Sequence, residues 1–200
     1  MIDPQLRKKA LRLEYFTVSY NLVEAAVSLF AGALASSIAL TGFGLDSILE
    51  SLSAIVLIWR LRAPSGSEER RIDSRAVRFV GATFWILAAY IIVESMHKIM
   101  GGGESEPSPL GIAIAALSCV TMPVLGILKY RLGLRMGLRS LVADAKETFV
   151  CAALSAALLA GLIVRAATGF ILADPIVGLL IASFLLKEGA ELLFEKNEEE

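Results

Sequence analysis

The sequence predicts an all-α membrane protein of six transmembrane helices with both termini cytoplasmic. Three observations carry that prediction. The 200 residues are 56% hydrophobic with a mean hydropathy of +0.69, far more apolar than an ordinary soluble domain. Six apolar stretches reach the roughly 20 residues that a bilayer crossing needs. Basic residues also collect in alternate connections, which sets orientation.

The stretches are approximately residues 12–32, 38–58, 76–100, 110–130, 141–164 and 170–193, read as one six-helix domain spanning 1–200. The opening "MIDPQLRKKALRLEY" runs into the first stretch without a small-residue cleavage site, so it reads as a first helix and not a removed signal. Arg7, Lys8, Lys9 and Arg12 precede helix one; Arg60, Arg62, Arg70, Arg71, Arg75 and Arg78 surround the second connection; Lys129, Arg131, Arg135 and Arg139 surround the fourth. These regions are expected inside, whereas "GALASS", with no charge, and the connections holding Lys98 and Arg165 fit the outer side. The second connection, "RLRAPSGSEERRIDSR", reads as a cytoplasmic loop in which Glu68 and Glu69 pair with arginines, and "GGGESEPSP" as an outer turn. Residues 194–200 form a short acidic, solvated tail. Gly32, Gly42, Gly44 and Gly161 allow close helix approach.

Composition excludes several functions. The net charge of -1 says nothing about partners, but the basic clusters have no interleaved aromatics and have a topological role, which argues against nucleic acid. An enzyme is not expected, because the chain lacks a histidine pair, HExxH and GxSxG. The two cysteines, Cys119 and Cys151, lie inside apolar stretches and form no disulfide framework; Cys119 reads as a packing residue.

Acids inside the membrane are the informative residues. An ionised carboxylate at mid-bilayer costs about 2.5–3.5 kcal/mol on insertion scales. Glu14 and Asp174 lie near helix ends and are expected to cap or to sit at the interface. Asn21 and Glu24, one turn apart in helix one, suggest an interhelical polar network and a proton path. Glu94 and His97 share a face near the outer end of helix three, with His97 read as a wetted residue. Asp46 and Glu50 lie deep in helix two, four apart, hence on one face and about 6 Å apart along the axis. Such a like-charged pair needs a cation or protons. In helix five Glu147 and Cys151 repeat that spacing, and Asp144 falls on the same face one turn earlier. If helices two and five are antiparallel, Cys151 falls near the depth of Asp46 and Glu147 nearer Glu50. Asp46, Glu50, Glu147 and Cys151 are then four oxygen and sulfur ligands around one point, a set suited to a tetrahedral metal ion. Lys146 projects about 100° away from Glu147 and is not a ligand.

"GFGLDSILE", "LVADAKETFVC" and "ADPIVGLLIASFLLKEGAELL" together resemble helices two, five and six of the cation diffusion facilitators, six-helix exporters of zinc and related divalent metals. The resemblance covers nearly the whole chain. Family members commonly carry histidine and aspartate where this sequence has Glu147 and Cys151, so the ligand identity carries over by position only. They also commonly have a soluble domain after helix six and a histidine-rich loop between helices four and five, so the likeness is to the compact, tail-less branch. The resemblance implies a homodimer in the cell (plasma or inner) membrane. It implies efflux of a divalent cation, with zinc the expected ion, bound between helices two and five and exchanged for protons, with no resident cofactor. The alternative is a non-transporting membrane metal sensor or interaction subunit whose polar residues fix helix packing.

Overall fold

The computed structural model describes residues 4–62, 69–101 and 106–194; the side chains of 69–81, 83, 139 and 192–194 lie outside that description. Six α-helices follow one another: α1 (Pro4–Ala35), α2 (Ile38–Arg62), α3 (Glu69–Ile99), α4 (Pro109–Met136), α5 (Arg139–Thr168) and α6 (Ala173–Phe194). Each coincides with an expected stretch, and most are longer, because a helix continues past its apolar segment until a stop is met. α4 begins at Pro109 behind Ser108, whose side chain accepts a hydrogen bond from the Gly111 N–H at 3.0 Å. Gly137 and Gly169, with φ of 60° and 69°, end α4 and α5 in the left-handed conformation that glycine adopts without strain.

The expected acidic tail falls largely on 195–200, and the connections around 63–68 and 102–105 carried the expected loop with Glu68 and part of the outer turn. All of these lie outside the described residues.

The bundle buries polar and charged side chains along with its apolar core and leaves many large apolar ones exposed. On α1 the buried residues include Glu14, Thr17, Asn21, Glu24 and Ser28, whereas Leu22, Val23, Phe30 and Leu34 are exposed. Spacings of three and four draw the polar residues into one straight stripe facing the interior. Apolar residues facing outward suit lipid, and among the described residues α1, α2, α4 and α5 are long and apolar enough to cross a membrane. α6 falls short of that measure because Asp174, Lys187, Glu188 and Glu191 interrupt its apolar run.

α1 packs most extensively on α2, α4 on α5 and α3 on α6, and α2 also touches α5 and α6. Small residues set these distances: a Cβ on Gly32 would meet the Thr41 hydroxyl at 2.6 Å and its backbone nitrogen at 3.0 Å. The main apolar core runs through Leu40, Phe43, Ile91, Met122, Leu154, Leu158 and Ile181. At the end of the bundle where α3 meets α4, Asp174 accepts hydrogen bonds from the Ser37 hydroxyl and from the Ile38 N–H at 3.0 Å, and pairs with Lys98 at 3.3 Å. Asp174 is thus a cap, as expected, but of α2 and not of its own helix.

Candidate metal site between α2 and α5

Two cross-helix contacts fix the register of α2 against α5. The Ser53 hydroxyl donates to Glu147 Oε2 at 2.7 Å, and the Thr148 hydroxyl donates to Glu50 Oε1 at 2.8 Å. As numbers fall along α2 they rise along α5, so the helices are antiparallel, and Cys151 and Asp46 border the same cavity. All four expected residues, Asp46, Glu50, Glu147 and Cys151, line one small cavity of about 20 Å³ together with Phe84, Val150, Leu185 and Glu188. That volume holds a water molecule or a single ion. Glu50 Oε2 is buried there without a hydrogen-bond partner, an exception among buried polar atoms that calls for an explanation.

The donors line the walls and do not close on a centre: among the described residues no three His, Cys, Asp or Glu side chains converge tightly enough to hold a metal ion. Binding one therefore requires the side chains to turn inward. Cys119 and Cys151 are both free thiols, and Cys151 is buried. His97 and Lys146 are exposed.

Two expectations need correcting. Lys129, placed by its neighbours among the cytoplasmic basic residues, is 0% exposed inside the bundle. Its ammonium pairs with Asp144 at 2.6 Å and Glu14 at 3.2 Å, and donates to the Thr148 hydroxyl at 3.3 Å. Glu14, expected at an interface, is likewise 0% exposed. An ammonium can be buried only where carboxylates replace its water, and α1 and α5 supply one each. Asp144 is therefore held by Lys129 and does not line the cavity of Glu147 and Cys151.

Asn21 and Glu24 stand apart from the α2–α5 cavity, in the α1 stripe. Both oxygens of Glu24 are buried without a hydrogen-bond partner, as are both amide atoms of Asn21 and the Ser28 hydroxyl. Ser118 of α4 accepts a hydrogen bond from the Ser155 hydroxyl at 3.0 Å.

Sequence reasoning missed Ser53, Thr148, Lys129 and Glu188. Thr148 and Ser53 are ordinary residues in helical text; only the facing carboxylates give them meaning. Glu188 had a visible cue, an acid in the apolar run of α6.

Residues 15–197 match the model of the cation efflux transmembrane domain. The chain belongs to that family, the cation diffusion facilitator superfamily. Among curated proteins it is 23% identical over 190 residues to transmembrane protein 163 of Xenopus laevis, covering 94% of this chain and 68% of the relative. It is 26% identical over 168 residues to the magnetosome protein MamB of a Magnetospira species (80% and 57%). It is 25% identical over 186 residues to an uncharacterized transporter of a Synechocystis species (90% and 60%). The chain thus spans between 57% and 68% of the length of these relatives.

Proposed function

We propose that this protein is a secondary transporter that carries a divalent metal cation, with zinc the preferred ion, out of the cytoplasm in exchange for protons, with the metal held by Asp46, Glu50, Glu147 and Cys151. The observation that carries the reading is the convergence of two antiparallel helices on one ion-sized cavity walled by three carboxylates and a thiol, with Glu50 Oε2 buried and unpartnered. Sulfur in the set disfavours magnesium and calcium, which take oxygen donors, and suits zinc or a softer ion. Proton coupling follows from the donors: a metal binds carboxylate and thiolate in their deprotonated forms, so each metal bound releases protons and each proton returned weakens the metal. The orphaned Glu24 and Asn21 on α1, with Asp144 as a further titratable group, supply the route by which those protons leave. In this reading all six helices cross the membrane, both termini are cytoplasmic, and two copies associate through membrane helices.

The test is zinc flux into liposomes driven by an imposed proton gradient, with the wild-type chain beside Asp46→Ala and Glu147→Ala. Gradient-driven flux in the wild type that both substitutions abolish is the expected result. Folded protein that binds zinc but gives no flux under any gradient would replace the transporter with a membrane metal sensor.

A further inference from the structure

The two glutamates of the cavity are each held by a hydroxyl from the opposite helix. Thr148 on α5 donates to Oε1 of Glu50 on α2, and Ser53 on α2 donates to Oε2 of Glu147 on α5. Lys129 stands behind one of these bonds. The Thr148 hydroxyl has a single proton and two acceptors in range, Glu50 Oε1 at 2.8 Å and the Asp144 carbonyl at 3.1 Å. Because the Lys129 ammonium donates to the Thr148 oxygen at 3.3 Å, it polarises that hydroxyl toward the carboxylate, the closer and more strongly charged acceptor. Lys129 is itself fixed by Asp144 and Glu14 and is fully buried, so the chain Lys129, Thr148, Glu50 is anchored at its far end by Glu14 of α1 and Asp144 of α5.

We propose that Ser53 and Thr148, the latter backed by Lys129, determine ion selectivity by making Glu50 and Glu147 one-oxygen ligands. This rests on the metal-site reading above and goes beyond its choice of donors. With Oε1 of Glu50 and Oε2 of Glu147 each engaged by a hydroxyl, chelation of an ion through both oxygens of either glutamate competes with that hydrogen bond, and the other oxygen is the favoured donor. A four-coordinate ion needs no more: Asp46, Cys151 and one oxygen from each glutamate complete a tetrahedron. Calcium takes six to eight oxygens and commonly uses carboxylates bidentately, so the same clamps leave it under-coordinated. Discrimination thus comes from denied oxygens as well as from the thiol.

Equilibrium binding of zinc and of calcium to the purified full chain, each measured against a chromophoric chelator, tests this on the wild type, Thr148→Val, Thr148→Ser and Ser53→Ala. Valine keeps the shape of threonine and leaves the Lys129–Asp144 pair intact, so loss of the fold is not expected, and thermal unfolding of each variant checks that. Thr148→Val is expected to weaken zinc binding about 10-fold or more, the usual cost of an outer-shell partner. It should also narrow the zinc-over-calcium ratio, with Ser53→Ala acting in the same direction and Thr148→Ser restoring both. A merely structural hydroxyl would leave the zinc-over-calcium ratio unchanged, so folded Thr148→Val and Ser53→Ala proteins with wild-type selectivity would overturn the inference while leaving the site reading intact. A wild-type protein that binds neither ion would overturn both.

Discussion

Lys129 shows how one side chain changes the electrostatics of the bundle. Its ammonium lies at 2.6 Å from Asp144 and 3.2 Å from Glu14, all three nearly or wholly removed from solvent. Removing one partner from such a group strands the others as buried charges, a loss of about 3–5 kcal/mol. Lys129→Met is accordingly expected to lower the midpoint of thermal unfolding in detergent sharply, and adding Asp144→Asn to it should recover part of the loss. At the same scale, Glu24→Gln separates the proposed proton route from the metal site. Glutamine is nearly isosteric and Glu24 does not line the α2–α5 cavity. Zinc affinity should stay within a few-fold of wild type, while the acceleration of zinc flux by a proton gradient disappears. Retained gradient dependence would remove Glu24 from the route.

Helix ends and helix contacts carry the next set of expectations. The first backbone N–H groups of α2 have no partners within the helix, and Asp174 from α6 supplies one through Ile38 while pairing with Lys98 of α3. Asp174→Asn keeps an acceptor but loses the charge, and Asp174→Ala loses both, so the alanine variant should be destabilised by about 1–2 kcal/mol and asparagine by less. Order of melting temperatures, wild type above asparagine above alanine, is the check. Where α1 and α2 cross, Gly32 has no room for a side chain against the Thr41 backbone. Gly32→Val is expected to push the helices apart and to cost more stability than the same change at Gly101, where nothing lies within 4 Å but φ is +97°.

For the molecule as a whole, the proposed exchange has metal and protons competing for the same donors, so zinc affinity should rise with pH and fall as acid returns protons to the carboxylates and the thiol. Chelator competition across a pH series measures it; an affinity independent of pH would contradict exchange. Orientation is a second whole-molecule expectation. Gly101 follows α3 and Gly137 joins α4 to α5, so the two connections lie at opposite ends of α4. With the native cysteines replaced by serine, Gly101→Cys should react with a membrane-impermeant maleimide added to intact cells. Gly137→Cys, on the side rich in Arg131, Arg135 and Arg139, should react only after permeabilisation.

The helical architecture was legible in the chain because its cause is local: runs of about 20 apolar residues, separated by charged or glycine- and proline-containing connections, need no distant partner to declare themselves. The pairing of Asp46 with Glu50, and of Glu147 with Cys151, was legible for the same reason, since a spacing of four places two side chains on one helical face. Lys129 was misplaced because its text is that of a loop-proximal basic residue, and what holds it, Glu14 and Asp144, comes from other helices. Ser53 and Thr148 carried no cue, since a hydroxyl acquires a role only from the carboxylate that faces it. The sequence by itself therefore determined six helices and the acid and thiol pairs on α2 and α5. Only the tertiary structure decided which carboxylate oxygens are hydrogen-bonded and where the Lys129 ammonium is buried, because both depend on the register between helices and on desolvation, which no single helix contains.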